Sequence, residues 1–162
     1  MKIPVHNIDP LPLFVNQFKN YNNIVVVSPD IGGVIRAHKL VELLNMDFVV
    51  INKKRHISGE CFMSEIIENV RGKHCILIDD IIDTGETLCK AVKLIFKKGA
   101  SNVHAAVTHA VLSLASLPKI EDTFSDSSFH ITNTIAHDRL SSKIKLIKID
   151  DILADTIDSS IR

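Results

Sequence analysis

Two adjacent carboxylates and a short polar loop follow the apolar run Ile76–Ile78. Asp79 and Asp80 come first, and the loop then leads into a segment with helical periodicity. A pair of carboxylates can accept hydrogen bonds from the vicinal hydroxyls of a sugar. Backbone N–H groups, two hydroxyls and a helix N-terminus suit a phosphate monoester. The spacing therefore predicts a site for a ribose phosphate, in which the phosphate is held by the loop residues Asp83, Thr84, Gly85, Glu86 and Thr87.

Each of these residues also has a purely structural interpretation. Asp79 and Asp80 could end a strand, and Thr84 or Thr87 could cap a helix. The combination of apolar run, acidic pair, Asp-Thr-Gly and a further threonine favours ligand binding. No Gly-Lys-Ser/Thr follows the loop, so it is not predicted to bind nucleotides as a Walker A motif does.

A second turn of similar type follows the apolar run Ile24–Val27 and reads Ser-Pro-Asp-Ile-Gly-Gly. Gly32 and Gly33 would let the backbone approach a bulky anion closely. Asp30 would orient a magnesium ion that carries diphosphate oxygens. The alternative is an ordinary connection between a strand and a helix that contains two flexible glycines.

A basic segment follows the apolar run Phe48–Ile51 and contains three consecutive cations. We expect a mobile loop here, in which Lys53 and Arg55 close over a triphosphate and stabilise charge on the transferred group. Most basic runs are solvated turns, but the position beside two predicted anion-binding turns favours a catalytic role. His109, at the end of a later apolar run, is a weaker candidate for substrate contact.

These residues must be positioned by the elements around them. Continuous runs rich in Val and Ile predict strands that are covered on both faces. Segments with helical periodicity separate the runs, and this alternation indicates a parallel sheet. The predicted strands are 24–27, 48–51, 75–78, 103–107, 130–132 and 144–149, the predicted helices are 11–21, 34–44, 87–98 and 152–157, and residues 121–128 are expected to form a surface loop. The predicted fold is α/β, a mostly parallel twisted sheet with helices on both faces, in a single domain over residues 1–162.

Composition limits the function further. Lys plus Arg equals Asp plus Glu at 19 each, so the basic field that would bind nucleic acid is absent. Cys61, Cys75 and Cys89 have no metal-binding spacing, which indicates reduced thiols. No apolar run has the length of a membrane span, and the first residues do not resemble a signal peptide. We expect a cytoplasmic protein that binds neither nucleic acid nor membranes.

Several motifs, in the same order, resemble the carboxyl-terminal half of ribose-phosphate diphosphokinase, the enzyme that makes phosphoribosyl diphosphate from ATP and ribose 5-phosphate. The matching segments are residues 4–7, 12–14, 28–33, 78–88, 108–113 and 132–135, together with Lys53 and Arg55. The resemblance implies a type I phosphoribosyltransferase-like fold and magnesium as cofactor. It also implies that Asp79 and Asp80 hold the ribose hydroxyls, that residues 83–87 hold the 5-phosphate, and that Lys53 and Arg55 belong to a catalytic flexible loop.

The sequence departs from the family at specific places. Glu86 and Leu114 stand where the family usually has glycine. A carboxylate at position 86 would repel phosphate if it faced inward and would favour the helix N-terminus if it faced outward. Family members are also longer, and the half that would precede Met1 carries most of the ATP contacts and a catalytic histidine.

The leading expectation is a transferase of the ribose-phosphate diphosphokinase family. It would bind ribose 5-phosphate and magnesium, and it would need another chain to complete the ATP site, as a homo-oligomer or in a complex with a full-length or first-half homologue. One alternative is a freestanding phosphoribosyltransferase that uses phosphoribosyl diphosphate, although aromatic residues to stack a base are few, at 5% of the sequence. Another is a non-catalytic regulatory or truncated subunit.

Overall fold

The computed structural model of the chain describes residues 5–55, 61–66, 69–113, 115–124, 128–138 and 140–161. The side chains of residues 52–55, 61–66 and 161 are outside this description. The predicted roles of Lys53, Arg55 and Leu114 therefore concern side chains that lie outside the described part of the chain.

The described strands form one sheet of seven, in the order β3-β2-β1-β4-β5-β6-β7. Strand β3 pairs with β2 in antiparallel fashion, and the other neighbouring strands pair in parallel. The strands are β1 (Ile24–Ser28), β2 (Asp47–Arg55), β3 (Cys61–Ile66), β4 (His74–Ile82), β5 (Asn102–Ala110), β6 (Phe129–Thr132) and β7 (Ile144–Ile147). The predicted mostly parallel sheet is thus confirmed.

Helices cover both faces of this sheet. They are α1 (Leu11–Phe18), α2 (Val34–Leu44), α3 (Glu86–Lys97), α4 (Ser116–Thr123) and α5 (Asp150–Ile161), and a 3₁₀ turn spans Ile31–Gly33. Alternate residues of β1 enter two separate apolar clusters. Val25 and Val27 pack with side chains of α3 and α4, whereas Ile24 and Val26 pack with α1 and α2. Every residue of β1 is buried, which is why the strand appears in the sequence as a continuous apolar run.

The structure differs from the sequence prediction at α4, at the end of β2 and at β3. Residues 121–123 were expected in a loop but belong to α4, because Ile120 is fully buried against the α3 side of the sheet. Pro118 lies in the first turn of α4, where a missing N–H is tolerated. Residues 52–55 were expected in a mobile loop but form the end of β2, where they pair with β3. Strand β3 contains apolar, polar and acidic residues, so it has no continuous apolar run from which it could be predicted.

The ends of the elements decide where the candidate residues lie. Strand β4 continues to Ile82, so Asp79 and Asp80 lie within the strand, followed by Ile81 and Ile82, rather than after its end. Helix α3 begins at Glu86, so Glu86 and Thr87 already belong to the helix. Among the described residues, no helix is both long enough and apolar enough to cross a membrane.

Candidate functional site

An open cleft of about 700 Å³ lies at the edge of the sheet where the parallel strands end. Its walls include residues from four regions: Arg36 on α2, Asp80 on β4, His109 on β5 and Thr134 after β6. Ligands of open α/β sheets bind outside the carboxyl ends of the strands. Of the residues predicted to form the site, Asp80 and Gly32 line the cleft itself.

The acidic pair is bound by a guanidinium. Arg36 Nη1 lies 3.2 Å from Asp79 Oδ1, and Arg36 Nη2 lies 2.5 Å from Asp80 Oδ2. Asp79 Oδ1 also accepts a hydrogen bond from the backbone N–H of Asp80, at 2.9 Å. The first turn of α2 is thereby joined to the end of β4 beside the cleft.

Burial raises the pKa of Asp79 to about 6. The hydrogen bond from the Asp80 N–H and the positive charge of Arg36 oppose this rise, whereas the Asp80 side chain contributes to it. Asp79 is therefore mostly ionised at neutral pH, and the neighbouring cation helps to keep it so.

Hydrogen bonds between its own residues hold the turn after β1 in place. Asp30 Oδ1 accepts a hydrogen bond from the backbone N–H of Gly33, at 3.1 Å, and Ser28 Oγ donates to the carbonyl oxygen of Asp30, at 2.6 Å. A Cβ on Gly33 would lie only 2.8 Å from Ser28 Oγ, so this position requires glycine for close packing. The predicted diphosphate turn is thus a fixed connection into α2.

The predicted phosphate loop follows β4 directly and is largely exposed. Asp83, Thr84, Glu86 and Thr87 are exposed, and only Gly85 is buried. Gly85 has a φ of 70° and directly precedes α3. The twelve residues of α3 start here, so its first-turn N–H groups point toward the loop. Lys119 Nζ of α4 donates to the Thr84 carbonyl oxygen at 3.4 Å and adds a positive charge nearby.

The carboxylate of Glu86, which departs from the family pattern, is paired along the outside of α3. Glu86 Oε1 lies 2.5 Å from Lys90 Nζ, one helical turn further on. This hydrogen bond and the charge of Lys90 lower the pKa of Glu86. The geometry matches the outward orientation, in which an acidic residue favours a helix N-terminus.

His109 is held at the cleft by a threonine network. Its Nδ1 lies 3.0 Å from Thr134 Oγ1, which in turn donates to the Thr108 carbonyl oxygen at 3.0 Å. Thr132 Oγ1 donates to the same carbonyl at 2.6 Å. The imidazole predicted as a weaker candidate therefore has a fixed position in the wall of the cleft.

Sequence reasoning did not assign a role to Arg36, Lys119 or Thr134. Arg36 stands three residues after Gly33, in the first turn of α2, and this spacing from the double glycine was the available signal. Its carboxylate partners are more than 40 residues away, however, and only the pairing of β1 with β4 brings them together. No group of three or more metal-ligating side chains occurs among the residues for which the structure gives positions.

Comparison with known proteins gives consistent matches. A family model described as "Phosphoribosyl transferase domain" matches residues 11–143. The chain is 38% identical to a ribose-phosphate pyrophosphokinase of Ralstonia nicotianae over 165 residues, which cover 99% of this chain and 52% of the relative. It is 43% identical to the ribose-phosphate pyrophosphokinase of Agrobacterium fabrum over 121 residues, which cover 73% of this chain and 39% of the relative. The chain thus spans about half the length, or less, of these curated relatives.

Solved structures agree with these matches. The phosphoribosylpyrophosphate synthetase from Mycobacterium smegmatis superposes with a TM-score of 0.78 and 31% identity, over 93% of this chain and 49% of that chain. The APRTase from Giardia lamblia complexed with 9-deazaadenine has a TM-score of 0.64 and 18% identity, over 75% of each chain, and shares the fold. The predicted resemblance to ribose-phosphate diphosphokinase, of which pyrophosphokinase is a synonym, and the predicted fold are both confirmed.

Proposed function

Because this chain belongs to the phosphoribosyl transferase domain family, we propose that it binds ribose 5-phosphate and serves as the sugar-phosphate-binding half of a ribose-phosphate diphosphokinase. The reaction is the transfer of diphosphate from ATP to ribose 5-phosphate, with phosphoribosyl diphosphate and AMP as products. The similarity to ribose-phosphate pyrophosphokinases over nearly the whole chain supports the choice of this reaction.

One observation carries the proposal: Asp80 of the acidic pair lines the cleft, and the exposed loop that leads into α3 follows shortly after it in the chain. The carboxylates accept hydrogen bonds from the ribose hydroxyls. The first-turn N–H groups of α3 and the hydroxyls of Thr84 and Thr87 bind the 5-phosphate. A sugar phosphate needs these two chemistries next to each other, and β4 and α3 are joined by three residues only.

Magnesium fits the residues at this edge. The ion is usually held by one or two carboxylates together with waters and substrate phosphates, rather than by a cage of protein ligands. Asp30 would supply such a carboxylate in the turn that contains Gly32 and Gly33. When bound, magnesium neutralises charge on diphosphate oxygens. Lys53 and Arg55 are proposed to stabilise charge on the transferred group.

Titration calorimetry with ribose 5-phosphate tests the binding step. We expect the double variant Asp79→Asn, Asp80→Asn to lose detectable binding, because two charged hydroxyl acceptors are removed. The charge-matched control is Asp155→Asn, Asp158→Asn, in which two exposed carboxylates of α5 are replaced. Equal affinity of the two double variants would contradict the proposed site.

An assay of diphosphate release from the same protein distinguishes the proposed function from that of a freestanding phosphoribosyltransferase. Release of diphosphate from phosphoribosyl diphosphate in the presence of a purine, a pyrimidine or orotate would support a freestanding phosphoribosyltransferase instead. If no diphosphate is released with any of these bases and ribose 5-phosphate binds, the result supports the proposed half of a diphosphokinase.

A further inference from the structure

Within the proposed sugar-phosphate site, on which this assignment rests, we propose that Arg36 is a positioning residue that makes the two carboxylates unequal. It fixes Asp79 as an anchor of the site and directs Asp80 toward the ligand. The two hydroxyl acceptors of the acidic pair are then not equivalent, and Asp80 contributes more to binding of the ribose than Asp79.

The geometry of the Arg36 bridge supports this division. One planar guanidinium contacts both carboxylates through different nitrogens, Nη1 to Asp79 and Nη2 to Asp80. The Arg36 side chain is 24% exposed and forms part of the cleft wall. A guanidinium offers several N–H donors in one rigid plane, so it fixes the relative orientation of two acceptors, which a lysine ammonium cannot do.

The two carboxylates differ in what remains accessible. Asp79 is 25% exposed, and its Oδ1 already accepts from both Arg36 and the Asp80 backbone N–H. Asp80 is 57% exposed and lines the cleft, with Oδ2 as its contact to Arg36. A ligand in the cleft therefore reaches Asp80 much more readily than Asp79.

Charge gives Arg36 a second effect on the same pair. Two adjacent carboxylates repel each other. The positive charge of the guanidinium offsets this repulsion, and it opposes the rise in the pKa of Asp79. It also restricts the rotation of the Asp80 side chain before ligand binds, which lowers the entropy lost on binding.

The first experiment uses the ligand-free protein. Carboxyl-carbon NMR titration follows Asp79 and Asp80 in the wild type, in Arg36→Met and in Arg36→Lys. We expect the pKa of Asp79 to rise in Arg36→Met, because a neighbouring cation is lost, and to move less in Arg36→Lys. If the titration curves of Asp79 and Asp80 are the same in all three proteins, Arg36 does not bridge the two carboxylates.

The second experiment is a double-mutant cycle with ribose 5-phosphate as the titrant. We expect Arg36→Met to weaken binding about tenfold, which corresponds to about 1.4 kcal/mol, and Asp80→Asn to weaken it at least as much. Because Arg36 acts through Asp80, adding Arg36→Met to Asp80→Asn causes little further loss. If the double variant instead shows the product of the two separate losses in affinity, Arg36 does not act through Asp80, and the positioning role is overturned.

Asp79→Asn tests the asymmetry directly. An asparagine oxygen can still accept from the Asp80 N–H, so the anchor is partly kept, and we expect a smaller loss of affinity than for Asp80→Asn. An equal or larger loss would overturn the assignment of Asp80 as the ligand-facing carboxylate. Arg36→Gln, which is about as long as methionine, polar and uncharged, replaces Arg36→Met if the latter does not fold.

Failure of the proposed function gives a different result. If the wild-type protein binds no ribose 5-phosphate, the proposed function and the ligand-facing role of Asp80 are both overturned. The ligand-free NMR titration still shows in that case whether Arg36 bridges the carboxylates.

Discussion

Gly85 shows how a single residue joins the fold to the proposed site. Its φ of 70° lies in the left-handed region, which L-residues with a Cβ rarely adopt. A Cβ at this position would make ordinary contact with Ile120 Cγ1 of α4, at 3.4 Å. The requirement for glycine therefore comes from the backbone turn between the end of β4 and the start of α3, rather than from a lack of space.

Replacing Gly85 with alanine is expected to cost about 1 kcal/mol of unfolding free energy, because a left-handed conformation is strained for alanine. Gly72→Ala is the matched control, since Gly72 has a φ of 68°, open space around its Cα and no part in the site. Urea denaturation should give similar losses for both variants. Only Gly85→Ala should weaken binding of ribose 5-phosphate, and equal affinities would contradict the role of this loop.

At single positions, the sequence predicts which residues belong to the site better than it predicts which side chains contact each other. Asp80 and Gly32 were predicted from local spacing, and both line the cleft. Arg36 was not, because its role depends on contacts across two strands. The sequence does not decide between the two orientations of the Glu86 side chain, since the choice depends on Lys90, one turn further along α3.

The packing of α1 on the sheet uses histidines in an apolar environment. Phe18 of α1 stacks on His130 of β6, with ring centroids 4.9 Å apart, and lies edge-on to His104 of β5 at 5.8 Å. Tyr21 contacts His104 at 5.0 Å. Because α1 packs on these two imidazoles, protonation of His104 or His130 would disturb its packing.

Burial lowers the pKa of His104 to about 4 and that of His130 to about 3. The neighbouring His74 contributes to the first shift, and His104 and Lys145 contribute to the second. An unfolded histidine has a pKa of about 6.5. Below that pH the unfolded chain binds more protons at these sites, so their contribution to stability is present above pH 6.5 and is lost as the pH falls toward the folded values.

His104→Phe should reduce this acid sensitivity. A phenylalanine keeps the ring contacts with Phe18 and Tyr21 and carries no proton-binding nitrogen. Urea denaturation at pH 8 and pH 5 is expected to show a loss in the wild type that is larger, by about 1–2 kcal/mol, than the loss in the variant. Asp79, whose folded pKa is raised, acts in the opposite sense between about pH 6 and 4, and the comparison of the two proteins cancels its effect.

Exposed His38 supplies the control for this experiment. Its side chain is on the surface of α2, next to Glu42, and His38→Gln should leave the difference between pH 8 and pH 5 nearly unchanged. A His104→Phe variant with the pH dependence of the wild type would show that the buried imidazole is not the group responsible.

The elements themselves were predictable where burial on both faces produced continuous apolar runs, as in β1, β4 and β5. Strand β3, at the edge of the sheet, and the short helix α4 have mixed compositions. Their formation depends on neighbours: β3 pairs with the end of β2, and α4 is held by the burial of Ile120. Local patterns do not contain this tertiary information.

On the scale of the whole molecule, the described residues form an open cleft at one edge of the sheet. Arg36, Asp80 and His109 face a cleft that also includes apolar Ile35, whose side chain is largely exposed, as is that of Ile31 nearby. Exposed apolar groups beside a polar site are typical of surfaces that another chain or domain covers. The chain also spans only about half the length of its curated relatives, and we propose that residues outside it complete the ATP site of the proposed reaction.

We therefore expect the 162-residue chain alone to produce no AMP from ATP and ribose 5-phosphate with magnesium, and to gain activity when mixed with the first half of a full-length relative. Transfer needs both reactants positioned together, and AMP formation followed by chromatography measures it. Lys53→Ala in this chain is the control for contaminating enzyme, and it should abolish the restored activity. AMP production by the unaccompanied wild type that Lys53→Ala abolishes would instead show that this chain contains its own ATP site, and the need for a partner half would be wrong.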